Sequence, residues 1–358
     1  MLVEPDYYSQ YPPLGLLKLS TYHKNIGDTT ELVHGTDPAI SQEPDVIYIT
    51  SLFTWAWQPV WKAVAFYSSL FPHSELWLGG LYASLMPEHA ALSGVHPSHI
   101  FKGVFREAEE LLPDYGLVPE WNRKSNASIV FSSRGCIRNC PFCAVPSLEG
   151  KINSSKTTIK HLIWPGHKEV IFFDNNFFAG PYWERILDDV EELGLRVDFN
   201  QGIDARLISR QVAKRIARLN VDKVVRLSYD YKEMGCSVKK ATDFLKSEGI
   251  SGRNILVYAL YNFTDDPQDF FNRMSDILAW GTVCYPMRYE PLRTLYKNHY
   301  VAPRWDKNRL DAVQKARRII GYGGAFVPHK GMLKVKVQGC ATFEKAFAEF
   351  MAPLEVAG

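Results

Sequence analysis

Three cysteines stand close together near the middle of the chain, at Cys136, Cys140 and Cys143. Their spacing is C-x3-C-x2-C, with Gly135 before the motif and Pro141 inside it. A loop of this kind brings three thiolates towards one point, and such thiolates hold iron–sulfur clusters. A four-iron cluster with three protein ligands keeps one iron open, and an open iron is available for chemistry. The motif therefore predicts a reactive 4Fe-4S cluster.

The three cysteines could instead be ligands of a zinc ion or unrelated buried residues. Structural zinc prefers four ligands with paired spacings, and the nearest histidines, His161 and His167, are badly placed to complete such a set. Unrelated buried cysteines would not need this close spacing.

With Phe142 directly before its third cysteine, the motif resembles that of the radical S-adenosylmethionine (radical SAM) superfamily. The resemblance implies that the open iron binds the amino and carboxylate groups of S-adenosylmethionine. One electron then cleaves this molecule to methionine and a 5′-deoxyadenosyl radical, which abstracts a hydrogen atom from the substrate. It also implies a reductant protein as partner, such as a flavodoxin or a ferredoxin.

The composition is that of a globular protein of 358 residues, 46% hydrophobic and 22% charged, which is long enough for two domains. The start of the chain has no basic and apolar signal-peptide pattern. No run of 18 apolar residues indicates a membrane span, and we expect no membrane partner. Six cysteines without an export signal favour a reducing compartment. We therefore expect a cytoplasmic protein.

Charge is unevenly distributed along the chain. Residues 1–115 hold 5 Lys+Arg and 13 Asp+Glu, and the remainder holds 36 and 26. A basic second part suits an anionic substrate, although solvated helix faces would give the same excess. No basic run with interleaved aromatics stands out, so nucleic acid is not strongly indicated.

Residues 1–115 alternate short apolar runs with helical patterns, which predicts an α/β fold with a parallel sheet. Strands are expected at 45–51, 75–80 and 99–105, and helices at 59–70 and 106–112. We therefore expect an N-terminal Rossmann-like domain that binds ligands at the carboxyl ends of its strands.

This domain resembles the cobalamin-binding domain that precedes many radical SAM cores, through residues 12–17, 45–49, 78–83 and 103–109. The resemblance makes cobalamin a candidate cofactor. A degenerate domain kept for folding or substrate contact is the alternative. The D-x-H-x-x-G motif is missing, and residues 52–57 are bulkier than a loop that admits a corrin needs to be. The domain contains no cysteine, which disfavours the methylthiotransferases, because they carry cluster cysteines there.

Residues 116–126 are predicted to be a linker, and the resemblance implies a partial (β/α)6 TIM-type barrel over 127–300. Strands are expected at 127–132, 169–173, 196–200, 223–228, 254–260 and 282–285, with helices starting near 182, 209, 237 and 267. Residues 301–358 form a small C-terminal capping segment, with helices at 307–320 and 343–351 and a strand at 332–337. Active residues of such barrels lie at the carboxyl ends of strands.

Asp174 and Asn175 follow the second of these strands. The resemblance implies that they bind the ammonium of S-adenosylmethionine, since their oxygens accept hydrogen bonds. A helix N-cap is the alternative role.

Polar residues also follow the third and fourth strands. Gln201 and Asp204 are candidates for contact with cofactor or substrate, but Asp204 and Arg206 could instead form a structural ion pair. The resemblance implies that Ser228 contacts the ribose and that Arg226 binds the methionine carboxylate.

Cys236, Cys284 and Cys340 are single and widely spaced, so we predict one cluster only. Cys284 fits a buried small hydrophobe better than a partner of a substrate radical. The reaction stays open between hydrogen abstraction from an unidentified substrate and cobalamin-dependent methylation. A non-catalytic iron–sulfur module for binding or redox sensing is the alternative from another class.

Overall fold

The structure is a computed structural model, and it describes residues 1–221, 224–328, 337 and 339–351. The strands in these ranges are β1 (Leu2–Glu4), β2 (Leu32–His34), β3 (Val46–Ser51), β4 (Glu75–Gly80), β5 (Ala127–Val130), β6 (Ser133–Arg134), β7 (Ser154–Ser155), β8 (Glu169–Phe172), β9 (Arg196–Phe199), β10 (Val225–Ser228), β11 (Ile255–Tyr261) and β12 (Val283–Arg288). The α-helices there are α1 (Leu14–Asn25), α2 (Trp57–Leu70), α3 (Leu81–Leu85), α4 (Pro87–Ala91), α5 (Pro119–Lys124), α6 (Val145–Leu148), α7 (Trp183–Glu192), α8 (Arg210–Arg218), α9 (Gly235–Ser247), α10 (Pro267–Ala279), α11 (Lys307–Ile319) and α12 (Phe343–Phe347). The fold is mixed α/β with parallel sheets, as predicted.

By its internal contacts the chain divides into two compact units. The first consists of Met1–Ile171, Glu184–Gly194 and Glu290–Asn298, and the second of Phe172–Trp183, Leu195–Tyr289 and His299–Gly358. The domain boundaries predicted at residues 115, 126 and 300 stay predictions.

A parallel four-stranded sheet in the order β2-β1-β3-β4 lies in the first unit. Val3 of β1 stands opposite Val33 and Ile49, and all three side chains are buried. The chain leaves β1 towards β2 on one side and returns to β3 on the other. Strand order therefore reverses between β1 and β3, and ligands of open parallel sheets bind outside the carboxyl ends of the strands at such a point.

The ends of β3 and β4 approach each other closely. Gly80 has a φ of +99°, and a Cβ there would lie 2.2 Å from the carbonyl oxygen of Ser51. Glycine is needed here because any side chain would collide with the neighbouring backbone. After β3, helix α2 begins two residues earlier than predicted and buries Val60, Val64 and Tyr67 at helical spacing.

Other elements of the first unit differ from the prediction. The strand expected at 99–105 is reduced to one bridge between Leu78 and Ile100, and Gly103, at a φ of +87°, breaks the extended run. The helix expected at 106–112 is only a 3-10 turn, Arg106–Ala108. Part of the predicted linker is helix α5, which Pro119 begins, because proline is well suited to the first position of a helix. Strands β1 and β2 were not predicted, since three-residue strands give almost no periodic signal. Helix α1 was not predicted either, and its buried positions include Lys18 and Ser20, so it lacks a clear apolar stripe.

Strands appear near all six places expected in the second half of the chain, at β5, β8, β9, β10, β11 and β12. In the second unit, β10, β11 and β12 are parallel neighbours, with Val257 opposite Leu227 and Cys284. Isolated parallel bridges, such as the one from Ile203 to Leu227, join the segment around β9 to β10. β10 begins at Val225, and residue 223 of the strand predicted at 223–228 lies outside the described residues.

Helices follow these strands at predictable places. The side chain of Asp266 accepts from the N–H of Asp269, and Pro267 occupies the first turn, so α10 begins where the sequence indicates. Ser209 caps α8 in the same way by accepting from the N–H of Val212.

The C-terminal segment has α11 and α12, close to the two predicted helices. Residues 332–336 of the predicted strand lie outside the described residues. Within the described part of the chain, none of the helices combines the length and apolar character needed to cross a bilayer.

Candidate functional site

The cysteine loop, residues 135–143, begins at the end of the antiparallel ribbon formed by β6 and β7. Gly135 has a φ of +81°, a backbone conformation that favours glycine. A Cβ at Gly135 would lie 2.2 Å from the carbonyl oxygen of Lys151 and 2.9 Å from that of Gly150. The chain can therefore enter the loop along this path only with glycine at position 135.

Backbone groups hold the cysteines of the loop. The N–H of Cys136 donates to the carbonyl of Gly150 at 3.1 Å, and the N–H of Cys143 donates to the carbonyl of Cys140 at 3.0 Å. The N–H of Arg138 donates to Sγ of Cys136 at 3.3 Å. All three cysteines are half-buried, and so is Phe142 beside them. None of the six cysteines, all within the described residues, forms a disulfide.

The chemistry of these donors fits a cluster better than a single ion. No three Cys, His, Asp or Glu side chains in the described ranges converge as ligands of one metal ion. A four-iron cluster binds each thiolate at a different iron, so its ligand sulfurs stand further apart than those around a single zinc ion. Three thiols on one loop, with an amide N–H directed at a sulfur, suit that arrangement.

Four charged residues adjoin the start of the loop, two of them buried (Lys18 and Glu109) and two half-buried (Arg134 and Glu149); we call them the Arg134 network. Nε and Nη2 of Arg134 donate to the two carboxylate oxygens of Glu109 at 2.6 and 2.8 Å. Nη1 of Arg134 donates to Glu149 at 3.4 Å, and the other oxygen of Glu149 accepts from the N–H of Gly135 at 3.0 Å. Nζ of Lys18 donates to the side chain of Glu109 at 3.3 Å and to its carbonyl at 2.9 Å.

Burial and charge act in opposite directions within this network. Burial lowers the pKa of Lys18 to about 8, although the Glu109 carboxylate opposes the shift. Burial also acts to raise the pKa of Glu109, but hydrogen bonds and charge from Arg134 and Lys18 outweigh it and lower that pKa. Glu109 is therefore ionised, and Arg134 and Lys18 compensate its negative charge.

A cavity of about 520 Å³, which we call the N-terminal cavity, lies at the carboxyl ends of β3 and β4 in the first unit. Its aromatic lining consists of Tyr22, His23, Tyr48, Trp77, Phe101 and Phe105. The four residues of the Arg134 network supply charged lining. The bulky segment 52–57 does not line it. The volume is within the range of about 300–1,000 Å³ that is typical of sites for small molecules and cofactors.

In the second unit, the residues after β8 carry the first group of predicted contacts. Asp174 is buried and Asn175 is half-buried. Helix α7 begins at Trp183, eight residues after Asn175, so neither of the predicted residues is its N-cap. The amide of Asn176 donates to Asp204 at 3.5 Å, which brings the segments after β8 and β9 together.

The residues after β9 form the ion pair that the sequence left as an alternative. Asp204 accepts from Nε of Arg206 at 2.7 Å and from its Nη2 at 3.1 Å. The Gln201 side chain is exposed and donates to Asn200 at 3.2 Å.

Arg226 on β10 has a partner that the sequence did not reveal. Its guanidinium contacts both carboxylate oxygens of Asp198 and donates to the carbonyl of Phe199 at 3.4 Å. The Asp198 side chain is only 2% exposed and that of Arg226 is 12% exposed. The charge of Arg226 is thus largely compensated within the protein.

Ser228, at the end of β10, hydrogen-bonds to Asp230. Burial raises the pKa of Asp230 to about 6, although the Ser228 hydrogen bond and the charge of Arg273 oppose the shift. Asp230 was not predicted. A carboxyl two residues beyond a strand end was the available signal, because that position places it beside the other predicted contacts.

The three isolated cysteines have different surroundings. Cys284 is fully buried in β12, and burial raises the pKa of its thiol, which agrees with a small hydrophobic role. Cys236 is exposed and Cys340 is half-buried.

No family model matches the chain, and no curated protein matches it. Two similar solved structures are of the cobalamin-dependent S-adenosylmethionine radical enzyme OxsB, one with aqua-cobalamin and S-adenosylmethionine bound and one with aqua-cobalamin bound. The TM-scores are 0.58 and 0.57, at 14% and 16% sequence identity. Each match covers 78% of this chain and 51% of the other, so the chain spans about half the length of those structures. At this level of identity the likeness shows the fold alone, and it agrees with the resemblance stated from the motifs.

Proposed function

We propose that this protein is a radical SAM enzyme that reductively cleaves S-adenosylmethionine and uses the resulting 5′-deoxyadenosyl radical to abstract hydrogen from a substrate. The observation that carries the proposal is the cysteine loop, whose three thiols occur in a chain with the fold of such an enzyme. Cys136, Cys140 and Cys143 would hold a 4Fe-4S cluster. When bound, this cluster supplies the electron for the cleavage.

The six strands β5, β8, β9, β10, β11 and β12 form, in this proposal, a partial (β/α)6 barrel whose strand ends bind S-adenosylmethionine. Asp174 and Asn175 accept hydrogen bonds from its ammonium group, because their oxygens are acceptors. Ser228 contacts the ribose. Arg226, whose guanidinium already pairs with Asp198, would orient the methionine carboxylate with its remaining N–H donors.

The remaining contacts have supporting roles. Arg206 and the amide of Asn176 both donate to Asp204 and hold its carboxylate in place. Asp204 would therefore be a fixed acceptor beside the cofactor. Gln201 is exposed and suits contact with an incoming substrate. Phe142, directly before Cys143, would contact the cofactor.

Cleavage of S-adenosylmethionine tests the proposal directly. The full chain is reconstituted anaerobically with iron and sulfide, reduced with dithionite and mixed with S-adenosylmethionine, and 5′-deoxyadenosine and methionine are quantified. We expect about four iron per chain and both products. Cys136→Ala, Cys140→Ala and Cys143→Ala should each lose iron and products, whereas the exposed-cysteine control Cys236→Ala should keep both.

The same experiment separates the enzyme from the alternative class. A reconstituted protein that holds iron but releases no 5′-deoxyadenosine would be a non-catalytic binding or redox-sensing module. About eight iron per chain would contradict the single cluster.

A cobalamin-dependent methyltransferase is the second candidate, and the N-terminal cavity favours it. The cavity lies at the strand ends where open parallel sheets bind ligands, and both OxsB structures contain aqua-cobalamin. Because segment 52–57 does not line the cavity, its bulk does not close this space. A corrin absorption band that stays with the protein after incubation with aqua-cobalamin and gel filtration would support this candidate, and Leu19→Trp, which enlarges a lining side chain, should weaken the band.

The partners follow from the proposed chemistry. A reductant protein such as a flavodoxin or ferredoxin supplies the electron, which suits the cytoplasm, where thiols stay reduced. The basic excess after residue 115 suits an anionic substrate.

A further inference from the structure

We infer that the Arg134 network positions the cysteine loop and couples it to the wall of the N-terminal cavity. The inference rests on the proposed function, because it concerns the cluster that the loop would hold. Lys18, Glu109, Arg134 and Glu149 are positioning residues in this scheme, since they act on the cluster through the backbone of the loop.

On the loop side, the network reaches the peptide that immediately precedes the first cysteine. Glu149 accepts from the N–H of Gly135 at 3.0 Å, and Arg134 is the residue before Gly135. The guanidinium of Arg134 also lies 3.4 Å from the ring centroid of Phe131, which fixes its plane. A shift of either charged side chain would therefore move the backbone that orients Cys136.

On the cavity side, the network ends on helix α1. Both hydrogen bonds of the Lys18 ammonium go to Glu109, one to the side chain and one to the carbonyl. Both carboxylate oxygens of Glu109 in turn accept hydrogen bonds from Arg134. Lys18 is thus two contacts removed from the loop, and yet it lines the same cavity as Arg134 and Glu149.

The burial of these side chains makes the coupling strong. The side chains of Lys18, Glu109, Arg134 and Glu149 are 8%, 10%, 14% and 14% exposed. Charges at such positions interact with little screening by solvent. If one charged side chain of the network is removed, the charge of its partner is no longer fully compensated. The remaining side chains of the network then rearrange.

A ligand in the cavity would touch the same four side chains, so its binding and the state of the cluster would influence each other reciprocally. Electrostatics fixes the sign of the effect. Reduction adds negative charge to a cluster, so a lost nearby cation makes reduction harder. Removal of the Lys18 charge should therefore lower the cluster's midpoint potential, although Lys18 contacts no cysteine.

Lys18→Met in the full chain tests the coupling without any ligand. The matched control is Lys24→Met on the same helix, because Lys24 pairs at 2.6 Å with Asp114, which lies outside the network. Each reconstituted protein is analysed for iron, for the electron paramagnetic resonance spectrum of the reduced cluster and for its midpoint potential. We expect Lys18→Met to keep full iron, with a changed spectrum and a lower potential, and Lys24→Met to match the parent.

Two further variants distinguish coupling from general damage. Lys18→Arg keeps the charge and should restore the parent potential. Glu149→Gln combined with Lys18→Met should give a shift that differs from the sum of the single shifts, as expected for members of one network. Equal potentials and spectra in Lys18→Met, Lys24→Met and the parent would overturn the inference. A parent protein that takes up no iron would instead refute the proposed function.

Discussion

Replacement of Gly135 by alanine is the sharpest test of how the cysteine loop is built. The added Cβ would lie 2.2 Å from the carbonyl oxygen of Lys151, 2.6 Å from its carbonyl carbon and 2.9 Å from the carbonyl oxygen of Gly150. All three are backbone atoms, so no side-chain rotation can relieve the overlap. The loop entrance must therefore move away from this backbone.

The cost has two parts. Alanine at a φ of +81° loses about 1–2 kcal/mol relative to its preferred conformations. Movement of the entrance also breaks the hydrogen bond from Cys136 to Gly150 and the one from Gly135 to Glu149, about 0.5–1.5 kcal/mol for the first and about 1.5–3 kcal/mol for the second, whose acceptor is charged. The sum is about 3–6.5 kcal/mol if nothing relaxes. Since 1.4 kcal/mol corresponds to a factor of about ten in affinity, we expect iron binding to weaken at least a hundredfold.

Gly150→Ala is the matched control. Gly150 also has a positive φ, +73°, but a Cβ there meets nothing within 4 Å. Gly150→Ala therefore has the same cost of a positive φ as Gly135→Ala, but its Cβ collides with no neighbouring atom. Iron and sulfide per chain are measured after anaerobic reconstitution, and far-ultraviolet circular dichroism verifies that both variants fold. Equal iron content in Gly135→Ala and Gly150→Ala would refute the reasoning, because the collision would then have no effect.

Three further predictions concern other parts of the chain. Asp174→Ala and Ser228→Ala should each weaken S-adenosylmethionine binding tenfold to a hundredfold, since a hydrogen bond to a charged partner contributes about 1.5–3 kcal/mol. Asp174→Ala should have the larger effect, and titration followed by the spin resonance of the cluster measures both. Asp198→Asn should lower the free energy of unfolding by about 3–5 kcal/mol in denaturant titration, because it leaves the buried charge of Arg226 uncompensated. Burial lowers the pKa of His167 to about 4, so its neutral form stabilises the fold above pH 6.5 and that stability is lost as pH falls towards 4. The loss should reach about 3 kcal/mol and should be absent in His167→Gln.

Each of these predictions has a control. Cys284→Ser, on another strand, should leave S-adenosylmethionine affinity unchanged, and unchanged affinity in both Asp174→Ala and Ser228→Ala with an intact cluster would contradict the assignment of these strand ends. Asp243→Asn breaks an exposed pair with Lys239 and should change the free energy of unfolding by less than about 1 kcal/mol. If Asp198→Asn changed the free energy of unfolding as little as Asp243→Asn does, the pair of Asp198 with Arg226 would contribute little to stability. His73→Gln, at an exposed position, should keep the acid-induced loss of the parent.

The sequence by itself determined those features that depend on neighbouring residues. The cysteine spacing is local, so the sequence alone indicated the loop that is proposed to hold a cluster, and the alternation of apolar runs with helical patterns indicated the α/β fold. The strands β8 to β12 and the helices α8 and α10 were also predictable within a few residues. Apolar runs mark buried strands, and Ser209 and Asp266 mark the helix starts, because capping depends only on the next three residues.

Tertiary structure alone decided which distant charges meet. Glu109 is 25 residues from Arg134 and 91 from Lys18, and nothing in the intervening sequence indicates that they share a buried site. Asp198 and Arg226, 28 residues apart, meet for the same reason, since one belongs to β9 and the other to β10. Burial makes these pairs strong, and burial is a property of the packed fold. The sequence could therefore indicate which residues are proposed to bind a cluster, whereas only the fold decides which charged residues adjoin their loop.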